Sequence, residues 1–576
     1  MKYIVMLISF FIILKNGTKA QLTPFEKSNG NKTATYAEAI QWYKNLGKIS
    51  TEILVKEMGP TDAGYPLHLV MLSGDKTFDP IKWHSQKKVV IMINNGIHPG
   101  EPDGIDASMM LVRDILKRKI ILPQNVALAF IPVYNIGGCL NRNSYTRANQ
   151  NGPLEYGFRG NSQNLDLNRD FTKADTKEAK TFIHIFHFLN PDILIDNHVS
   201  DGADYQHTMT LISTQYNKLN PLLGKWLKED FEPAIYQNMK TKNWDLIPYV
   251  DFETTDFEKG MQMFYDPPRY SSGYGALFNT LSFMPETHML KPFKERVKST
   301  YDLMVSFIEA ASQHSKAIIE LRKKAQESAI TQQTFPLKWI RDSSLYREII
   351  FKGYESDFIK SEATGLQKMF YNHEKPFTKK IKFFDVFYGT DLVKKPLAYI
   401  IPQGWYAVVD LLKLNGVNIG RIKTDTAITV TAYQIINYKS SPSPYEKHHK
   451  NNGVAVSLSE EKEKFYKGDY IIHMNQPVNR FIIEMLEPTG DDSYFSWNYF
   501  DGILQQKEGY SVYRWEDIAA DILKHEPSLK QKLEEKKASD PTFAQNSSAI
   551  LNFIYKNSAY AEKAFLKYPV FRIEER

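Results

Sequence analysis

An apolar run from Val89 to Ile93 leads directly into Asn95-Gly-Ile-His-Pro-Gly-Glu-Pro-Asp-Gly104, and from Asp103 to Lys119 the pattern becomes helical. Gly96 and Gly100 permit a sharp turn, and Pro102 suits the first turn of a helix. Ile105, Met109, Leu111, Val112, Ile115 and Leu116 then recur at helical spacing. A strand, a tight turn and a helix in this order restrict the chain to an α/β arrangement in which the turn sits at the carboxyl end of a strand, where open sheets build their sites. That turn presents His98 and Glu101, two residue types that ligate zinc at about 2.0–2.2 Å. The pair is weak alone, because fourteen histidines give roughly one such spacing by chance. His98 is nevertheless the only histidine followed by Glu three positions later.

The chain has 576 residues, more than one core holds, so two or three domains are expected. Short apolar strands (66–72, 89–93, 126–132, 193–196, 208–212 and 281–285) alternate with helical stretches such as 177–189 and 294–311, which defines an α/β domain over about 36–310. The expected division is a signal peptide at 1–20, a catalytic domain at 21–315, a connecting region at 316–380, a β-rich domain at 381–510 and a helical tail at 511–576. Lys2 followed by the apolar Tyr3 to Leu14, and then Thr18-Lys-Ala20, reads as a secretory signal. The run is too short to span a membrane, so the expectation is a secreted or periplasmic protein with no stable membrane insertion after cleavage.

Loss of that signal takes the formal charge from +6 to +3, a balance that points to no nucleic-acid partner. Cys139 is the single cysteine, which excludes both an internal disulfide and a thiolate zinc site.

A third ligand is expected at another strand end. Pro191-Asp-Ile-Leu-Ile-Asp-Asn-His198 supplies His198, with His207 as the fallback. His184 and His187 lie in an apolar helix and are read as packed, and His448-His449 as a solvated loop.

Between the ligands lie Tyr145-Thr-Arg147, Phe158-Arg159-Gly160 and Leu165-Asp-Leu-Asn-Arg-Asp-Phe171. Asp166-Leu-Asn-Arg169 followed by Phe171, after a His-x-x-Glu turn and before a strand-end His, resembles the zinc metallocarboxypeptidase family over roughly residues 36 to 310. The resemblance implies a mixed twisted sheet flanked by helices, here with an additional β-rich C-terminal domain and helical tail. It also implies one Zn²⁺ held by His98, Glu101 and His198. Asn168 and Arg169 would bind the substrate's terminal carboxylate, for which a guanidinium offers a matching planar fork of donors.

Arg147 is the candidate for stabilising the scissile oxyanion, with Arg142 and Arg159 as alternatives. Glu286, ending the apolar strand Phe278-Asn-Thr-Leu-Ser-Phe-Met-Pro-Glu286, stands where the family carries its general base, which takes a proton from the zinc-activated water and passes it to the leaving amine. Tyr265 is nearest the family's mobile substrate tyrosine, with Tyr270 and Tyr274 close by, and Arg269 is a further carboxylate contact.

The expected activity is zinc-dependent removal of the C-terminal residue from peptides or proteins. Competing readings are a zinc amidohydrolase of the aspartoacylase or succinylglutamate desuccinylase type, a cell-wall peptide hydrolase, and a non-catalytic binding protein that keeps the fold.

Overall fold

A computed structural model describes residues 21–200, 202–250 and 259–574. The signal-peptide reading of residues 1–20 lies outside them.

The N-terminal half is built on a nine-stranded sheet. Its strands are β1 (Ile53–Pro60), β2 (Pro66–Leu72), β3 (Val89–Asn94), β4 (Val126–Ile131), β5 (Ile193–Asp196), β6 (His198–Ser200), β7 (Met209–Ser213) and β8 (Ile247–Pro248). The short β9 (Met261–Gln262) pairs elsewhere, and β10 (Leu281–His288) completes the sheet. The order is β1-β2-β4-β3-β5-β10-β7-β8, with β6 continuing β5 and pairing with β10. At the centre β4, β3, β5 and β10 are parallel, while β1, β2 and β7 run antiparallel to their inner neighbours. A sheet covered on both faces has apolar residues at consecutive positions, as in Val89 to Ile93 and Val126 to Ile131, all buried. The mixed α/β class expected from the sequence is the one observed.

Helices cover both faces. α1 (Tyr36–Ile49) starts in a capping box between Thr35 and Glu38. α2 (Asp103–Leu116) follows the His98 turn and stops three residues short of the expected Lys119, because Arg118 adopts a left-handed conformation (φ 60°). α3 (Lys177–Leu189) matches its expected span, capped by Thr176 and ended by left-handed Asn190. α4 (Ser271–Leu277) precedes β10. α5 (Phe293–Gln313) packs along α2, where fully buried Arg296 donates to Asp103 at 3.0 Å. Thr287, beside Glu286, donates to the same Asp103 carboxylate at 2.5 Å. The start of α2 is thereby tied to the end of β10.

Residues 316–380, read above as a connecting region, are regular structure. α6 (Ser315–Thr331) buries Ile318, Arg322, Ala325 and Ala329 on one face, so its charges are a solvated surface rather than a linker. Long antiparallel strands follow: β11 (Thr334–Arg341), β12 (Arg347–Lys360), β13 (Gln367–Phe384) and β14 (Phe387–Lys394), with β12 on β13 and β11 on β14. A six-stranded sheet contains β15 (Ala398–Ile401), β16 (Gly420–Arg421), β17 (Thr426–Ser440), β18 (Asn451–Phe465) and β19 (Tyr470–His473). Its remaining member, β20 (Phe571–Ile573), comes from the end of the chain. The tail is helical in α7 (Val512–His525), α8 (Pro527–Ser539) and α9 (Ser547–Lys556), which share a small core around Trp515, Leu533 and Tyr555. No helix among the described residues is long and apolar enough to cross a membrane.

Candidate active site

The carboxyl ends of β3, β5 and β10 converge on one cavity. In the turn after β3, Gly96 has φ +66°, a conformation that glycine adopts without strain. A Cβ on Gly104 would come within 2.5 Å of Asn95 Oδ1 and of the Asn197 side chain, so only glycine lets α2 start this close to the strand ends. Glu101 N–H donates to the His98 carbonyl at 2.8 Å, and this closed turn puts both side chains on one side.

His98 Nδ1 lies 3.3 Å from Glu101 Oε1, and His198 Nδ1 lies 3.3 Å from Glu101 Oε2. All three residues are buried. Two atoms bound at 2.0–2.1 Å to one tetrahedral ion stand about 3.4 Å apart, so this spacing is the one a shared zinc requires. His98 Nδ1 is also buried without an aligned hydrogen bond, which is costly unless something else uses its lone pair. The three side chains therefore fit a metal ion.

Each imidazole is anchored through its other nitrogen. His98 Nε2 lies 2.9 Å from Asp166 Oδ1, and His198 Nε2 lies 3.1 Å from Asp196 Oδ2. A carboxylate behind a ligating histidine sets its tautomer and increases its basicity. Burial opposes ionisation of Asp166, yet His98 and Arg159 hold its carboxyl far below the usual range. Glu101 behaves alike: burial works against its charge, but Arg147 and His98 keep the carboxyl well below its ordinary value.

Glu286 stands in register with His198 on the adjacent parallel strand, so both side chains project from the same face. Both line a cavity of about 430 Å³ together with Arg147, Arg159, Asn168 and Arg169. Ile212, Phe264 and Met284 add apolar surface to its wall, with Tyr249 beside them.

Arg147 donates to Glu101 Oε1 at 2.7 Å, to Gln150 Oε1 at 2.5 Å and to the Val199 carbonyl at 3.3 Å. Arg159 also lines the cavity and bonds Asp166, whereas Arg142 turns outward to the Glu155 carbonyl. The Asn168 side-chain oxygen is buried and has no hydrogen-bond partner among the described residues. Arg169 lies 4.2 Å over the Tyr270 ring and donates Nε to Tyr445 Oη at 3.0 Å and Nη1 to the Asn168 carbonyl at 2.8 Å.

Several expected residues stand elsewhere. Tyr265 is not in the cavity: its ring packs under Lys218 and against Phe387, because the segment before α4 folds inward there. Arg269 is likewise outside it and forms an ion pair with Asp492 at 2.9 Å, drawn by a buried carboxylate from the C-terminal half. Tyr274 is core, bonded to Asn415, which leaves Tyr270 as the one of the three tyrosines lining the cavity. His207 does not line the cavity and is held by the Asp245 carbonyl and the Lys352 N–H. His187 is half-buried against Tyr274, but its expected companion His184 is exposed, being on the solvent side of α3. His448 is not a solvated loop residue; its Nε2 lies 2.8 Å from Asp175.

The roles of Asp166 and Asp196 were not read from the sequence. Asp196 was findable, since residues two apart on an extended chain share a face. The contact of Tyr445 with Arg169 had no local signal, being made across 276 residues of chain.

Part of the chain is similar to known carboxypeptidases. Residues 39–192 match the zinc carboxypeptidase family of M14 peptidases. Carboxypeptidase 2 of Trichophyton rubrum is 19% identical over 530 residues, an alignment spanning 84% of this chain and 88% of that protein. Among solved structures, a metallo-carboxypeptidase from Burkholderia cenocepacia is similar with a TM-score of 0.37 and 16% identity, over 49% of this chain and 70% of that one. Carboxypeptidase A from Helicoverpa armigera gives 0.38 and 16%, over 50% and 75%. The family match takes in His98, Glu101, Arg147, Asn168 and Arg169 and stops before His198 and Glu286.

Proposed function

We propose that the protein removes the C-terminal residue from peptides or proteins, with His98, Glu101 and His198 holding one Zn²⁺, Asn168 and Arg169 receiving the terminal carboxylate, and Glu286 acting as general base. The observation that carries the reading is the convergence of the two imidazole Nδ1 atoms on the two oxygens of Glu101, at 3.3 Å each, in a cavity that also contains Glu286 and Arg169.

Zinc in such a site lowers the pKa of water and polarises the scissile carbonyl. Glu286 takes the proton of the attacking water and delivers it to the departing amine. Arg169 supplies a planar cation for the substrate carboxylate, and Asn168 adds a side-chain amide NH₂ that donates to the same group. Arg147 lies beside Glu101 at the cavity wall, from which its guanidinium stabilises charge on the scissile oxygen. The apolar wall of Ile212, Phe264 and Met284 accommodates an apolar terminal side chain. Export to the periplasm or the extracellular space rests on the N-terminal sequence alone.

The test compares a free-acid peptide, its C-terminal amide and an N-acyl amino acid, with metal content measured on the purified full chain. The reading expects one zinc per chain and release of single residues from the free acid only. Preferred hydrolysis of the N-acyl amino acid would shift the assignment to the amidohydrolase class, and a protein without stoichiometric metal would lose the enzymatic reading.

A further inference from the structure

The turn between β17 and β18 leaves its own sheet and reaches the carboxylate-binding side of the cavity. Tyr445 and His448 are joined by paired backbone bonds of 2.8 and 3.1 Å, which makes Glu446-Lys447 a two-residue hairpin turn. Both turn residues have positive φ, 49° and 76°, at positions where hairpins ordinarily use Asn-Gly. Non-glycine residues hold such angles when surrounding contacts determine them, and contacts of that kind concentrate at functional sites.

Three side chains of this turn form hydrogen bonds to the Asp166 to Asp175 stretch. Glu446 accepts the backbone N–H of Asp166 at 2.8 Å. Tyr445 Oη accepts Arg169 Nε at 3.0 Å, and His448 reaches Asp175 at 2.8 Å. Tyr445 is in turn braced by stacking on Trp497 and by the nearby Arg269 guanidinium.

Arg169 is thus gripped on three sides, by the Tyr270 face, the Asn168 carbonyl and the Tyr445 hydroxyl. Fixing Nε of a guanidinium fixes the plane and direction of its two terminal nitrogens, the edge that pairs with a carboxylate. Among the described residues Nη2 has no protein acceptor. Resting on the carboxypeptidase reading above, we propose that Tyr445 and Glu446 of the C-terminal half are positioning residues that aim Arg169 at the substrate's terminal carboxylate, so that the clamp is built from both halves of the chain.

The experiment uses the full-length zinc-loaded protein and an N-blocked dipeptide ending in phenylalanine, as free acid and as amide. Tyr445→Phe keeps the ring and its stacking but removes the acceptor. It should raise KM for the free acid about 3- to 10-fold with kcat changed less than about twofold, since a misaimed clamp weakens binding shared by ground and transition states. Glu446→Gln should act in the same direction. In an Arg169→Ala background Tyr445→Phe should have no further effect, which a merely structural role would not produce. Dissociation constants for the free acid on the Glu286→Gln background give the same comparison without turnover.

Unchanged KM and dissociation constant in Tyr445→Phe, or an equal effect with and without Arg169, overturns the proposal while leaving the carboxypeptidase reading intact. A wild-type protein indifferent to the terminal carboxylate overturns both.

Discussion

His98 Nε2 and Asp166 Oδ1 stand 2.9 Å apart although 68 residues separate them in the chain. The aspartate that opens the Asp166-Leu-Asn-Arg169 motif thus serves two neighbours, orienting the imidazole with one oxygen and Arg159 with the other. Asn in place of Asp keeps the shape but removes the charge behind the imidazole. Asp166→Asn should lower zinc affinity about 10- to 100-fold, measured by competition with a chelator of known affinity. Unaltered affinity would mean that the carboxylate does not orient the ligand.

Glu286→Gln tests the general base separately from the metal. Glu286 is in register with His198 but lies outside the cluster formed by His98, Glu101 and His198, so the substitution should leave zinc content at the wild-type level. Hydrolysis should fall about 10²- to 10⁴-fold, the range general-base catalysis contributes. Residual turnover near the wild-type rate would assign the base elsewhere.

Asp106, buried in α2, predicts a pH-dependent stability that is independent of the site. Burial pushes its carboxyl up to about 7, against the N–H of Ala34 and the Thr33 hydroxyl, and one of its oxygens has no partner. The folded state therefore holds a proton that the unfolded chain releases near pH 4. Stability is full below that value and falls as pH rises toward 7. Asp106→Asn, permanently neutral, should be more stable than wild type at pH 8 by on the order of 1–3 kcal/mol, the difference vanishing near pH 4. Thermal unfolding of the two proteins across that range checks the sign. A constant difference would show that the carboxyl titrates normally.

Periodicity was most informative where burial is uniform. The run Val89 to Ile93 and the helix 177–189 could be read directly, because a fully covered parallel strand and an amphipathic helix each leave a continuous apolar signature. Lys316 to Thr331 misled for the opposite reason, since most of that helix faces water and its charges resemble those of a linker. The segment 263–274 was harder still: three tyrosines and an arginine lie within a few residues, and only packing separates Tyr270 at the cavity from Tyr274 in the core and from Arg269 at Asp492.

By itself the sequence determined the α/β class, the turn that presents His98 and Glu101, and the candidates His198 and Glu286 at later strand ends. These are local consequences of side-chain spacing, turn chemistry and the position of polar residues after apolar runs. Only the tertiary structure decided which groups meet: the 3.3 Å spacing of both histidines on Glu101, the carboxylates of Asp166 and Asp196 behind them, and Tyr445 on Arg169. Distances of a few ångströms between residues tens or hundreds of positions apart depend on strand order and on the docking of one half of the chain against the other. No local pattern encodes either.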